Sequence, residues 1–318
     1  MKSKTIVGFG LAAAVAAAGG WLWLDYRIHA EVDARLQAAV DSGNYEALEY
    51  EDLHFNLKGD VTLDNFYVRQ AGLEYVLDEV HIRNMDYDNA FPHAMDISVK
   101  GLHFPAGLPE ATEGGNDTLQ RLLAHVMEGD RIPLELDYKH SYDPDNAWQL
   151  DTRTDLKVPG LLRVDMGSRM RNLSVESLSA LEQQAIADPE LMQSQLLPLL
   201  QDAEFSSLNL QVEDSGVVQA LIEVGAAEID APPEDYRTLL ISQTRNAYLF
   251  LPATAQTFAQ QAGEEVAEFL EGGRTLTLRL EPEFGGHVEQ LLPQVTGAIF
   301  TGDIGRAIQL LNLELVTE

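Results

Sequence analysis

Cysteine is absent from the 318 residues, which excludes disulfides, thiol nucleophiles and thiolate metal sites. Basic residues are scarce: 21 Lys and Arg stand against 51 Asp and Glu, a formal net charge of −30, with an isoelectric point near 4.4. Such a surface repels nucleic-acid phosphates, and no basic stripe offsets it. Anionic lipid head groups repel it too, so contact with a bilayer is expected to rest on an anchor. Catalytic signatures are also missing. The chain carries no G-x-S-x-G, H-E-x-x-H, Walker loop or S-x-x-K, each of which places a reactive group in a defined local geometry. Choosing a glycosidase pair from so many carboxylates is arbitrary. The expectation is no catalytic residue, no metal and no cofactor.

The N-terminus carries the strongest positive signal. Lys2 and Lys4 precede an uncharged apolar run from Thr5 to Leu24, long enough to span a bilayer as a helix. Positive charge on its N-terminal side predicts a cytoplasmic N-terminus and an exported remainder. Trp21, Trp23 and Tyr26 fall where the helix leaves the hydrocarbon, the preferred depth of amphipathic rings. A cleaved signal peptide is the alternative, since Ala16–Ala18 and the glycines after them resemble a small-residue cleavage site. The apolar run continues past that point and flows into Ile28, Val32, Leu36 and Val40, spaced four apart. That continuity favours an uncleaved anchor over residues 1–24 and a helical stalk over 25–43. The expected location is a bacterial inner membrane, single-pass, with the C-terminal domain in the periplasm.

At 45% hydrophobic residues over its whole length the chain is no disordered tether. After Gly43 the period changes to two. Leu53, Phe55, Val61, Leu63, Phe66, Val68, Leu73, Tyr75, Leu77, Val80, Ile82, Met95, Ile97 and Val99 fall in short strands, with turns at Lys58-Gly59-Asp60, Gln70-Ala71-Gly72 and Lys100-Gly101. Ile132–Tyr138 and Trp148–Thr154 flank Asp143-Pro144-Asp145-Asn146, the clearest hairpin signal. Residues 44–172 are thus expected to form an antiparallel β-rich domain with one apolar face. Residues 173–318 are expected to be an α+β region packed on the sheet. It has helices from 174 to 200, over Val217–Ala227 and over Pro233–Leu270 with a break at Leu251-Pro252. Late strands follow at Leu276–Leu280 and Leu311–Leu315. The fold class is α+β: an N-terminal transmembrane helix and stalk, a curved antiparallel sheet, and C-terminal helices with late strands.

An anchor, a stalk and then LEYEDLHFNLKGDVTLDNFYV (48–68) resemble the start of AsmA-like and YdgA-type bacterial envelope proteins. LNLQVEDSGVVQAL (208–221), FLEGGRTLTLRLEPEF (269–284) and LLNLELV (310–316) resemble the C-terminal region of the YdgA type. The resemblance implies an envelope location and a curved β-sheet. AsmA-like proteins are associated with lipid movement, which implies a lipid ligand. No catalytic group is among the matching residues.

Three groups of residues are candidate sites. His54, His81 and His103 each sit between apolar neighbours, so on strands they point to the opposite, wet face. A zinc site would need all three in register. Asp143, Asp145 and Asn146 superficially suit calcium but lack the further ligands of a full loop. The third is the apolar face of the first meander, with Phe55, Leu57, Val61, Leu63, Phe66 and Val68 as candidate lipid-binding residues. That face is either core or, if the sheet stays open, a groove for an acyl chain. The expected function is therefore a non-enzymatic envelope protein that binds a lipid or a protein partner, with no nucleic acid. A hydrolase with a dispersed site and a structural scaffold are the alternatives.

Overall fold

The structure, a computed structural model, describes residues 45–56, 58–70, 73–84, 93–105, 130–143, 148–174, 202–282 and 286–318, with positions 121, 122, 127 and 145 and most of 29–43. Among the described residues eleven strands form one antiparallel sheet. They are β1 (Ala47–Glu49), β2 (Asp52–Phe55), β3 (Val61–Gln70), β4 (Leu73–Arg83), β5 (Ala94–His103), β6 (Arg131–Asp143), β7 (Gln149–Val158), β8 (Leu162–Arg171), β9 (Glu204–Asp214), β10 (Thr275–Leu280) and β11 (Leu313–Thr317). From β3 to β11 each strand pairs with the next in sequence, while β1 and β2 both pair with β3. The fold is mixed α and β, dominated by this open antiparallel sheet.

The helices of the C-terminal region are α1 (Val217–Glu228), α2 (Pro233–Asn246), α3 (Ala253–Glu271), α4 (Val288–Phe300) and α5 (Ile304–Leu311), with a 3-10 turn at Ala247–Phe250. Asp214 opens α1: its Oδ1 accepts from the backbone N–H of Gly216 and Val218 at 2.9 and 3.2 Å, satisfying donors that a helix start leaves unpaired. Pro252 separates the 3-10 turn from α3. The described residues between 29 and 41 are also helical, and Tyr50 Oη ties them to the sheet by donating to Asp33 Oδ1 at 2.6 Å. Among the described residues no helix is long and apolar enough to cross a membrane. Residues 5–24, with Trp21, Trp23 and Tyr26, lie outside the described residues, as does all of the helical stretch expected from 174 to 200 except Ser174.

One expected break is overturned. Lys100-Gly101 does not end a strand; β5 runs through it. Pairing of β5 with β6 shifts between Lys100 and Leu102, so that Pro133 and Leu134 oppose Gly101. This is a β-bulge, one of the few sheet positions where proline's missing N–H costs no ladder bond. The same line crosses β4 at Asp78 and β3 at Asn65. There the buried positions change parity, from Val61 and Leu63 to Phe66 and Val68, from Ile82 and Val80 to Leu77 and Tyr75, and from Ile97 and Val99 to Leu102 and Phe104. Trp148, expected within a strand, stands before β7 with φ 52°.

The core lies on one face. Leu53, Val61, Leu63, Val80 and Val99 form one buried cluster, with Val32, Phe55 and Phe66 against it. Phe104, Ile132, Val158 and Leu161 join Val218, Ile222 and Phe269 of α1 and α3 in the other large cluster. A small separate cluster of Val295, Ala298 and Ala307 joins α4 to α5.

Candidate functional site

Cross-strand partners share a face, so the register aligns whole rows of side chains. Leu136, Leu156, Val164, Val212 and Leu276 form one row. Tyr138, Thr154, Met166, Leu210 and Leu278 form the next. Both rows lie on the apolar face. At one end of this face α1 and α3 bury Ile132, Val158 and Leu161. At the other end His140 and Tyr142 are buried, and Tyr142 Oη donates to the Leu173 carbonyl at 3.2 Å. Between its two covered ends, among the described residues, the face keeps a partly exposed strip, the trough. Leu156, Val164, Leu208 and Leu210 are half-buried, and Met166 is 39% exposed. Among the described residues none of these five packs against a buried cluster. Burial pushes the Tyr138 phenol above its ordinary pKa, as an apolar surround disfavours the phenolate.

The opposite face is a ladder of charges. Lys100 Nζ donates to Glu79 at 2.7 Å, Lys157 reaches Glu135 at 3.2 Å, and Arg153 and Arg169 meet Asp165 and Asp151 at 2.6 Å. Arg163 bonds Asp155 and Ser98 bonds Asp137. The hydrogen bond from Lys100 holds the Glu79 carboxyl below the usual carboxylate range, and that from Arg163 does the same for Asp155. A cleft of about 520 Å³ at this face is lined by Glu135, Asp155, Lys157, Arg163 and Glu213. Its cations are spent on neighbouring carboxylates, so the cleft holds a solvated ion-pair network rather than an acid and base poised for proton transfer.

The candidates read from sequence divide as follows. Val61, Leu63 and Val68 are buried, Leu63 at 4% exposure. Phe55 and Phe66 are half-buried and pack on the cluster that holds Val61 and Leu63. Leu57 lies outside the described residues. The structure thus puts the described members of this set in or against the core, closed by Val32 and Tyr50. His54 and His81 lie on the polar face on either side of Thr62, and Thr62 Oγ1 lies 3.0 Å from His81 Nε2. His103 sits beyond the bulge and pairs with Asp130. Among the described residues no group of three or more His, Cys, Asp or Glu side chains is placed to hold a metal ion. Asp143 Oδ1 accepts from the Asp145 N–H at 3.0 Å, the geometry of an Asx turn. Missed in the sequence was the trough of β7–β10. Its signal was present in the alternation of Leu162, Val164 and Met166 and of Leu208, Leu210 and Val212.

Residues 155–317 match a protein-family model described as "Uncharacterized protein". A comparison with curated proteins gives no match. The matched segment runs from β7 to β11 and includes most of the trough.

Proposed function

The chain belongs to the family matched over residues 155–317, and we propose that it is a non-enzymatic, membrane-tethered protein of the cell envelope whose sheet takes up an acyl chain. In this reading residues 5–24 anchor it in the inner membrane, with Trp21, Trp23 and Tyr26 at the interface, residues 25–43 form the stalk, and the sheet lies in the periplasm. The observation that supports it is the half-open apolar trough over β7–β10, set against a polar face whose charges satisfy one another. An acyl chain suits such a surface because it needs no hydrogen-bond partners. Burying roughly eight methylenes is worth about 6 kcal/mol before ordering costs. The ligand is expected over Leu156, Val164, Met166 and Leu210 rather than over Val61 and Leu63, whose space is filled by protein.

Photo-crosslinking in living cells tests this. A photoreactive residue at Met166 or Leu210 is expected to capture lipid, and one at Leu63 is expected to capture none. Adducts to a single protein from position 166 would replace the lipid reading with that of an adaptor. A silent probe at 166 in a folded protein would make this face plain core.

A further inference from the structure

Two loops of the helical region end in bare aromatic rings. Phe250 closes the 3-10 turn with 88% of its surface exposed, and Phe300 ends α4 with 87% exposed. Leu249 and Leu251 flank the first, and Ile299 the second, all three exposed. The loops are neighbours. Gly305, at the start of α5, lies so close to Thr254, at the start of α3, that a Cβ on it would stand 1.9 Å from the Thr254 carbonyl oxygen. A cleft of about 510 Å³ between them is lined by Thr254, Asp303, Arg306 and Gln309.

The charge around these tips departs from the rest of the chain. Between Asp235 and Glu264 there is no acidic residue, and between Glu289 and Glu314 there is only Asp303. In a chain of net charge −30 this is a local neutral zone. Asp303 is spent on the start of α5, where its carboxylate accepts from the Arg306 N–H at 3.2 Å. Among the described residues Arg306 is the one basic residue that lines this cleft.

From this we propose that the paired loops dip into a lipid bilayer, with Phe250 and Phe300 as the inserting side chains and Arg306 at head-group depth. Aromatic rings prefer that interface, and an inserting face reaches about 5–10 Å into it. The removal of acidic residues lifts the repulsion that the rest of the surface would meet. A protein partner fits less well. Two projecting rings offer about 300–500 Å², whereas a stable interface buries about 800 Å² on each partner. A bilayer accepts projecting tips without a matching surface. The inference rests on exposure and charge alone and is independent of the acyl-chain trough.

The absence of cysteine makes the test specific. Leu249→Cys and Ile299→Cys, each in the full chain, carry an environment-sensitive fluorophore beside the two rings, and Asp145→Cys in the exposed turn before β7 serves as a control. The protein is reconstituted in vesicles of phosphatidylethanolamine with a minority of phosphatidylglycerol, some lipids bearing nitroxide quenchers. Probes at 249 and 299 are expected to lose half or more of their emission to the quencher, and the probe at 145 to keep its own. Adding Phe250→Ser and Phe300→Ser should reduce that quenching severalfold while leaving the melting temperature unchanged. No lipid quenching at 249 and 299 in folded protein would overturn the proposal. So would equal quenching at 145, or a blue shift that follows protein concentration instead of lipid, which would mark a contact with a second copy.

Discussion

Gly101 is the position where the sheet tolerates least. Its φ is 64°, in a region where side chains with a Cβ are strained. A Cβ added there would lie 2.1 Å from Asp78 Oδ2 on the neighbouring strand. Asn65, on the same line, has φ 48° but adopts it with a residue suited to that conformation. Its Nδ2 donates to Glu51 Oε2 at 2.5 Å. Gly101→Ala is therefore expected to cost about 1–3 kcal/mol, read as a drop in melting temperature, and Asn65→Gly to stay within about 1 kcal/mol, since the hydrogen bond lost is offset by an easier φ. Equal effects would mean that φ alone governs the line. The parity change itself was written in the sequence, as Leu63 followed by Phe66 and Val99 followed by Leu102. What the sequence did not tell was whether the chain turns or bulges there, because glycine inside a strand pattern serves both.

Among the elements, α4 and α5 are the least committed to the core. Their cluster of Val295, Ala298 and Ala307 is separate from the two larger ones, and α5 meets α3 through the close approach at Gly305. Gly305→Ala would force that contact apart. The expected result is faster hydrogen exchange across residues 288–311 with β3–β9 unchanged, since regions with few core contacts open on their own. Uniform loss of protection would show instead that the helical pair is integral to the core. Most elements were legible from period and punctuation: the β6–β7 hairpin, the helix break before Pro252 and both late strands. The candidate site was not, and the reason is physical. Alternation identifies an apolar face but not what covers it, and cover is a long-range fact. Val32 and Tyr50 close the face near Val61 and Leu63, α1 and α3 close it near Val158, and neither reaches Met166 and Leu210. Phe250 falls within the helix expected over Pro233–Leu270, and helical period alone does not show that its ring is bare.

At the scale of the whole molecule the charge of −30 sets the response to solvent. Ion pairs of the polar face contribute about 0.2–1 kcal/mol each when exposed, and contacts shorter than the Debye length of about 10 Å are the last to be screened. Longer-range repulsion between carboxylates is screened first. The melting temperature is thus expected to rise with added sodium chloride from low to physiological ionic strength. A fall would mean that the ladder outweighs the net charge. Acid should act in the opposite sense. Glu79 and Asp155 have carboxyls held below their ordinary range by Lys100 and Arg163. Their contribution is complete above about pH 5, clear of the ordinary carboxylate values, and is lost as pH falls through the depressed ones. A titration monitored by circular dichroism should show little change down to about pH 5 and destabilisation below pH 4.

The strand order beyond β3 also has a mechanical meaning. From β4 to β10 every strand holds only the strand before it and the strand after it, so the ladders act as springs in series between the edge beside residues 29–41 and the edge at β11. At about 4.8 Å per strand the two edges stand some 40 Å apart. A pull between residues 29–41 and the far edge would load every ladder of that series equally. The shortest yield first, and they lie at the edges: against nine paired residues in β7–β8, β1–β3 has three, β2–β3 four and, at the far edge, β10–β11 five. Glu265 of α3 reinforces that last strand, accepting from the Thr317 N–H at 2.6 Å. Tension should therefore open the sheet from its edges, first at β1 and β2, and leave the middle strands β4–β9 in register.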